Sequence, residues 1–186
     1  TLIQIAAYLE RTDRTLRRWD IEKNVELNRM NVTYQAMCDK VSCDASMVAV
    51  GFKNGSFTVL DGMLREVLVP NTRNRRRRVN SIAFSPNAQY LAMAVENAID
   101  VYTVAGAKDA SFPPTLKSAT TSPLDCVKIG SCLGHTGFCK KLDWNIASTL
   151  LQSSGDSYEL IYYSVPDCRM VTGTRQLADQ QWLTQT

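Results

Sequence analysis

Asp13-Arg14-Thr15-Leu16-Arg17-Arg18-Trp19-Asp20 is an acidic turn followed by a short strand that closes on an aromatic residue and an acid. The pattern returns in altered form as Gly55-Ser56-Phe57-Thr58-Val59-Leu60-Asp61, as Asn97-Ala98-Ile99-Asp100-Val101-Tyr102, and as Ser157-Tyr158-Glu159-Leu160-Ile161-Tyr162-Tyr163. The anchors Trp19, Leu60, Tyr102 and Tyr163 stand 41, 42 and 61 residues apart. A period of roughly 40–45 residues is that of one four-stranded β-propeller blade. The longest interval is then one blade plus an insertion of about 20 residues. An all-β fold follows: a partial propeller of about four blades, the first and last incomplete.

Working outward, residues 1–33 read as a partial blade. Ile3, Ile5, Ala7 and Leu9 alternate with Gln4, Ala6 and Tyr8, the period of a strand. Residues 34–72 form the next blade, with Lys53-Asn54-Gly55 as a hairpin turn suited to positive φ. An arginine-rich inter-blade loop occupies 73–78. Residues 79–132 make a blade interrupted by a Pro/Ser/Thr/Ala-rich loop over 105–123 that has no periodicity. Another blade covers 133–175, and 176–186 reads as the first strand of the next. A chain that starts in mid-blade and stops in an uncompleted one is expected to be a segment of a longer protein. Alone it should fold poorly, because blades cover one another's apolar faces.

Composition narrows the function. Among 186 residues, 21 basic and 18 acidic side chains leave a net charge of +3, too mild to imply nucleic acid by itself. No apolar run approaches the ~18 residues of a membrane span, and Thr1-Leu2-Ile3-Gln4 lacks a signal-peptide layout. Six cysteines at 38, 43, 126, 132, 139 and 168 include no C-x-x-C pair and read as reduced cytosolic thiols. With one histidine in the chain, neither a metal site nor a cofactor is expected.

Catalytic motifs are missing as well. His135, Asp156 and nearby serines could be drawn as a hydrolase triad, but no Gly-x-Ser-x-Gly turn supports a nucleophile. Gly51-Phe52-Lys53-Asn54-Gly55 lacks the ending of a phosphate loop. A non-enzymatic binding protein is the expectation. The candidate contact is Arg73-Asn74-Arg75-Arg76-Arg77-Arg78, five arginines in six positions. Such a run concentrates positive field and reads either as a contact for a polyanion or as a solvated loop. Acidic protein is the better partner, since no aromatic residue interleaves with the arginines to stack on bases.

The Trp19-Asp20 ending and Gly134-His135 resemble the WD repeat, apart from Arg18 where that pattern wants an apolar residue. WD repeats join the strands of a blade through hydrogen bonds among a His, a Ser or Thr, an Asp and a Trp. By resemblance these are His135, Ser153 or Ser154, Asp156, and Tyr163 in place of Trp, with Asp13 and Trp19 as the first blade's counterparts.

More specifically, Leu133-Gly134-His135-Thr136-Gly137-Phe138, Lys141-Leu142-Asp143-Trp144 and Ser153-Ser154-Gly155-Asp156-Ser157-Tyr158-Glu159-Leu160-Ile161-Tyr162-Tyr163 resemble one repeat of the echinoderm microtubule-associated protein-like family. Met47-Val48-Ala49-Val50-Gly51 and Ala83-Phe84-Ser85-Pro86-Asn87 are similar to its preceding repeats. The resemblance implies blades of the second of two joined propellers and a non-enzymatic protein that binds tubulin or microtubules. It also implies a place in the cytoplasmic cytoskeleton or a ciliary axoneme, beside other cytoskeletal or axonemal proteins, with neither nucleic acid nor membrane as partner. A general WD-repeat scaffold or adaptor is the alternative, because propellers host many functions.

Overall fold

The structure, a computed structural model, describes residues 3–7, 14–68, 77–105 and 125–184. Its strands form four antiparallel meanders. The first sheet holds three strands: β1 (Ile3–Ala7), β2 (Thr15–Asp20) and β3 (Val25–Asn31). The second holds β4 (Ala36–Val41), β5 (Met47–Phe52), β6 (Phe57–Asp61) and β7 (Glu66–Leu68). In the third are β8 (Val79–Phe84), β9 (Tyr90–Val95), β10 (Ala98–Ala105) and β11 (Asp125–Cys132). The fourth is built from β12 (Cys139–Trp144), β13 (Leu150–Gly155), β14 (Leu160–Ser164) and β15 (Arg169–Met170). Each opening strand packs beside the opener of the next sheet, β1 on β4, β4 on β8 and β8 on β12. That is the radial order of propeller blades.

Period-two alternation explains the stacking, because successive side chains leave a strand on opposite faces. In β5, Met47 and Ala49 face blade three while Val48, Val50 and Phe52 face blade one. Along β9, Leu91, Met93 and Val95 face blade two. Ala92 and Ala94, with Ala83 of β8, face blade four. Those three alanines make a shallow face that admits the large side chains of Trp144 and Tyr163, both fully buried. Trp144 donates its indole N–H to the Ala83 carbonyl at 3.2 Å and lies under the Tyr90 ring, 6.1 Å between centroids. Between blades two and three, Phe57 meets Tyr102 edge-on at 4.9 Å. Each such buried side chain contributes about 1.5–3 kcal/mol.

Turns that close the first hairpin of blades two, three and four share one device. Ser42 Oγ accepts from the Met47 N–H at 3.0 Å, Ser85 Oγ from Tyr90 at 2.9 Å, and Asn145 Oδ1 from Leu150 at 2.8 Å. A left-handed residue follows three positions after each acceptor: Ala45, Ala88 and Ser148. At Lys53-Asn54-Gly55 only Gly55 takes a positive φ. Asn54, which suits a positive φ, instead accepts the Ser56 N–H on its side-chain oxygen at 3.1 Å. Arg18 also finds a reason: it reaches across to blade two, where its guanidinium contacts the Met63 sulfur at 2.7 Å.

Within the expected strand 176–186, the described residues 176–184 take a different course. Thr174–Leu177 is a single helical turn, α1, and Trp182 makes one antiparallel bridge to Asn145. Leu177-Ala178-Asp179-Gln180-Gln181 lacks strand alternation, and the Gln180 N–H turns back to the Leu177 carbonyl. The segment is pinned to blade four by side chains. Asn145 donates to Gln180 at 2.8 Å, Thr184 to Asp143 at 2.9 Å, and the Trp182 ring packs on Tyr162 at 5.6 Å. The expected inserted loop falls almost wholly on residues 106–124, outside the described residues.

Replacing Trp144 with Ala should cost about 3–5 kcal/mol of unfolding free energy by leaving a cavity against Ala83, Ala92 and Ala94. Ala94→Leu should cost ~1–3 kcal/mol by overfilling the same face. Urea unfolding of the full-length protein, followed by amide exchange in β8, β9 and β12, measures both.

Candidate functional site

His135 lies in the connection from β11 to β12 and is 4% exposed. Its Nε2 is 2.6 Å from Ser153 Oγ on β13, and its Nδ1 is 3.1 Å from the Glu159 carboxylate. A neutral ring that donates from Nδ1 to the carboxylate leaves Nε2 to accept from the Ser153 hydroxyl. Glu159 also accepts from the Thr136 amide at 2.9 Å and hydroxyl at 2.6 Å. Those Thr136 bonds, with His135 adding to them, hold its carboxyl below the usual carboxylate range. On the other side, Asn97 donates to the His135 carbonyl at 3.3 Å and reaches blade three. One connection is thereby fastened to β13 and the β13–β14 turn of its own blade and to its neighbour.

The remaining predicted network residues sit apart from this knot. Ser154 points to the opposite face of β13 from Ser153 and pairs across the sheet with Lys141 and Leu160. The exposed Asp156 is 3.6 Å from Lys140. Glu159, not Asp156, takes the imidazole, because the β13–β14 turn carries the Asp156 side chain toward Gly137 instead. A side chain at Gly137 would press on the exposed ends of Asp156 and Ser157, which would have to swing aside. The Tyr163 ring is fully buried in the interface between blades, and its hydroxyl has no hydrogen-bond partner among the described residues. Burial pushes that phenol up to about 12. Trp19 is half-buried on β2 and its indole N–H is likewise unpartnered among them; Asp13 lies outside the described residues. Ser153 is wholly inaccessible, and the His135–Ser153 pair ties the β11–β12 connection to β13.

The arginine run lies on the connection from β7 to β8. Arg73, Arg75 and Arg76 fall outside the described residues. Arg77 forms an ion pair with Glu96 of the β9–β10 turn at 2.5 Å. Arg78 donates to Asn80 at 3.0 Å and holds its guanidinium 6.0 Å from the centre of the Phe138 ring. Lys140 approaches the same half-exposed ring at 5.9 Å. Arg78 and Lys53 also border a surface depression with Gln35 and Met37, and among the described residues its lining contains no carboxylate. Thus Phe138, distant in sequence, supplies the aromatic neighbour that the arginine run itself lacks. Among the described residues no group of three or more His, Cys, Asp or Glu is placed to hold a metal ion, and no helix is long and apolar enough to cross a membrane.

Antiparallel four-stranded blades whose faces interlock, with a Gly-His connection tied to the second strand, define a segment of a WD-repeat β-propeller. The family model for the echinoderm microtubule-associated protein second beta-propeller matches residues 10–186, and the chain belongs to that family. It is 28% identical over 177 residues to the 77 kDa echinoderm microtubule-associated protein of Lytechinus variegatus, which covers 94% of this chain and 24% of that protein. Against the human echinoderm microtubule-associated protein-like 3 the identity is 28% over 178 residues, with 94% and 18% covered. For the rat echinoderm microtubule-associated protein-like 2 it is 26% over 176 residues, with 94% and 24% covered. The chain therefore spans a quarter or less of the length of these relatives.

Two changes separate the bonds of the His135 knot. Ser153→Ala leaves a buried imidazole nitrogen without its partner and should cost about 1–3 kcal/mol. Glu159→Gln should act through pH. The folded carboxyl lies below its ordinary 4.5, so its contribution is fully present above that value and fades as pH falls through the depressed one. Acid unfolding curves should accordingly be shallower for Glu159→Gln than for the wild type below about pH 4.5.

Proposed function

We propose that this chain is the blade-bearing part of a non-enzymatic microtubule-associated protein, and that the end of the propeller carrying the β7–β8 connection docks on tubulin. The observation that carries the reading is membership of the family over residues 10–186, together with relatives that are named as microtubule-associated proteins. The charge distribution supplies the contact. Arg73, Arg75, Arg76, Arg77 and Arg78 are consecutive or nearly so, while Lys53 lies in the β5–β6 turn and Lys140 near the start of β12. Tubulin presents acidic polypeptide tails, and a cluster of cations attracts such a partner over a distance set by salt.

Within the cluster the roles differ. Arg77 is already paired with Glu96, so it anchors the connection to blade three. Arg78 stands against an aromatic ring, and it borders the depression together with Lys53. Those two are the described cations best placed to meet an incoming carboxylate. A cytoskeletal location follows from this reading, in cytoplasmic arrays or in a ciliary axoneme.

Charge reversal of Arg75, Arg76 and Arg78 to Glu in the full-length protein tests the contact by microtubule cosedimentation. The expected result is binding weakened roughly tenfold at low salt, about 1.4 kcal/mol, with the two proteins converging as salt rises. Unchanged binding at low salt removes the arginine run from the interface.

A further inference from the structure

Cys132 and Cys168 come from neighbouring blades and meet at the face those blades share. Cys132 ends β11 and is 0% exposed. Cys168 lies in the turn between β14 and β15, is partly open to solvent, and packs against the same apolar cluster that contains Cys132. The strand opposite it has made room. A Cβ built on Gly130 would stand 2.7 Å from the Cys168 sulfur and 3.3 Å from its Cβ, so only glycine leaves that space to the thiol. Gly130 and Cys132 are two positions apart on one strand, and their side-chain positions share a face. The Cys168 thiol thus occupies the side of β11 from which Cys132 projects.

We propose that Cys132 and Cys168 are an oxidative modification site, closing to an inter-blade disulfide when the protein meets a peroxide. The half-exposed Cys168 reacts first: its thiolate attacks one peroxide oxygen, forming sulfenic acid and releasing hydroxide. The Cys132 sulfur then attacks the sulfenic sulfur, giving the S–S bond and releasing hydroxide, which the Cys132 proton converts to water. Two thiols lose two electrons and the peroxide is reduced to two waters, so the step balances with the peroxide as sole oxidant.

The electrostatics divides the roles in the same way. A hydrogen bond from Cys132 draws the Cys168 thiol below its ordinary range, with burial, Asp100 and Asp167 opposing and Lys128 assisting. Cys132 is held above the ordinary range by that bond and by burial. Burial, with the charge of Asp39 adding to it at Cys38, pushes Cys38 and Cys139 up to about 12, which leaves them poor nucleophiles. The new bond would staple the last strand of blade three to the final hairpin of blade four, across an interface held by packing and by the hydrogen bonds of Trp144 and Asn97.

The test uses the full-length protein, fully reduced and then exposed to hydrogen peroxide, digested without reductant and mapped by mass spectrometry. The expected product is a peptide pair joined through Cys132 and Cys168 in the wild type. The oxidised propeller should also melt above the reduced one, and that upward shift should vanish in Cys168→Ser, whose partly exposed position tolerates the change. A Cys168 that stops at dimedone-trapped sulfenic acid, or joins a different cysteine, while Cys132 stays reduced in the folded protein overturns the assignment.

Discussion

Everything in this structure depends on one packing constraint: a blade that lies between two others must be apolar on both faces and must fit both. Blade three shows how the constraint is met. Its large residues, Leu91, Met93 and Val95, fill the side toward blade two, and its alanines thin the side toward blade four. That thin side is what allows Trp144 to enter, reach the Ala83 carbonyl and lie under Tyr90. The fit is therefore a property of pairs of blades, and no single blade carries a core of its own.

Interlocked faces leave the connections to do other things. Since the sheets are fixed by their sides, the residues between outer and inner strands are spared from the core and can carry polar chemistry. Two uses appear on neighbouring connections. The one before β12 is consumed structurally, by His135, Thr136 and Glu159. The one before β8 carries the arginine run, with Arg77 fastened to Glu96 and Arg78 set against Phe138. Rigid scaffolding placed next to solvated charge is what a protein needs in order to present a basic surface to an acidic partner.

Much of this was legible in the sequence because propeller blades are local. Strand partners are neighbours in the chain, so alternation at Met47–Phe52 or Tyr90–Val95 marks both the strand and its two buried faces. What the sequence hid lies between elements distant in the chain. Ser153 and Ser154 are chemically equivalent as text, and only their register on β13 decides which one meets His135. Sequence pattern points to Asp156 and not Glu159, because the turn geometry, not the residue type, chooses the carboxylate. The recurring acceptors Ser42, Ser85 and Asn145 are hidden in the sequence by the change of residue type from serine to asparagine. Phe138 beside Arg78, and Cys168 over Gly130, are juxtapositions that no local pattern encodes.

The functional account stands on a basic propeller end meeting an acidic lattice. Cosedimentation of the full-length protein with intact microtubules, and with microtubules whose acidic tubulin tails have been cleaved, tests it most directly. The account predicts pelleting with intact microtubules and a marked loss once the tails are removed. A folded protein that stays in the supernatant with both would contradict it.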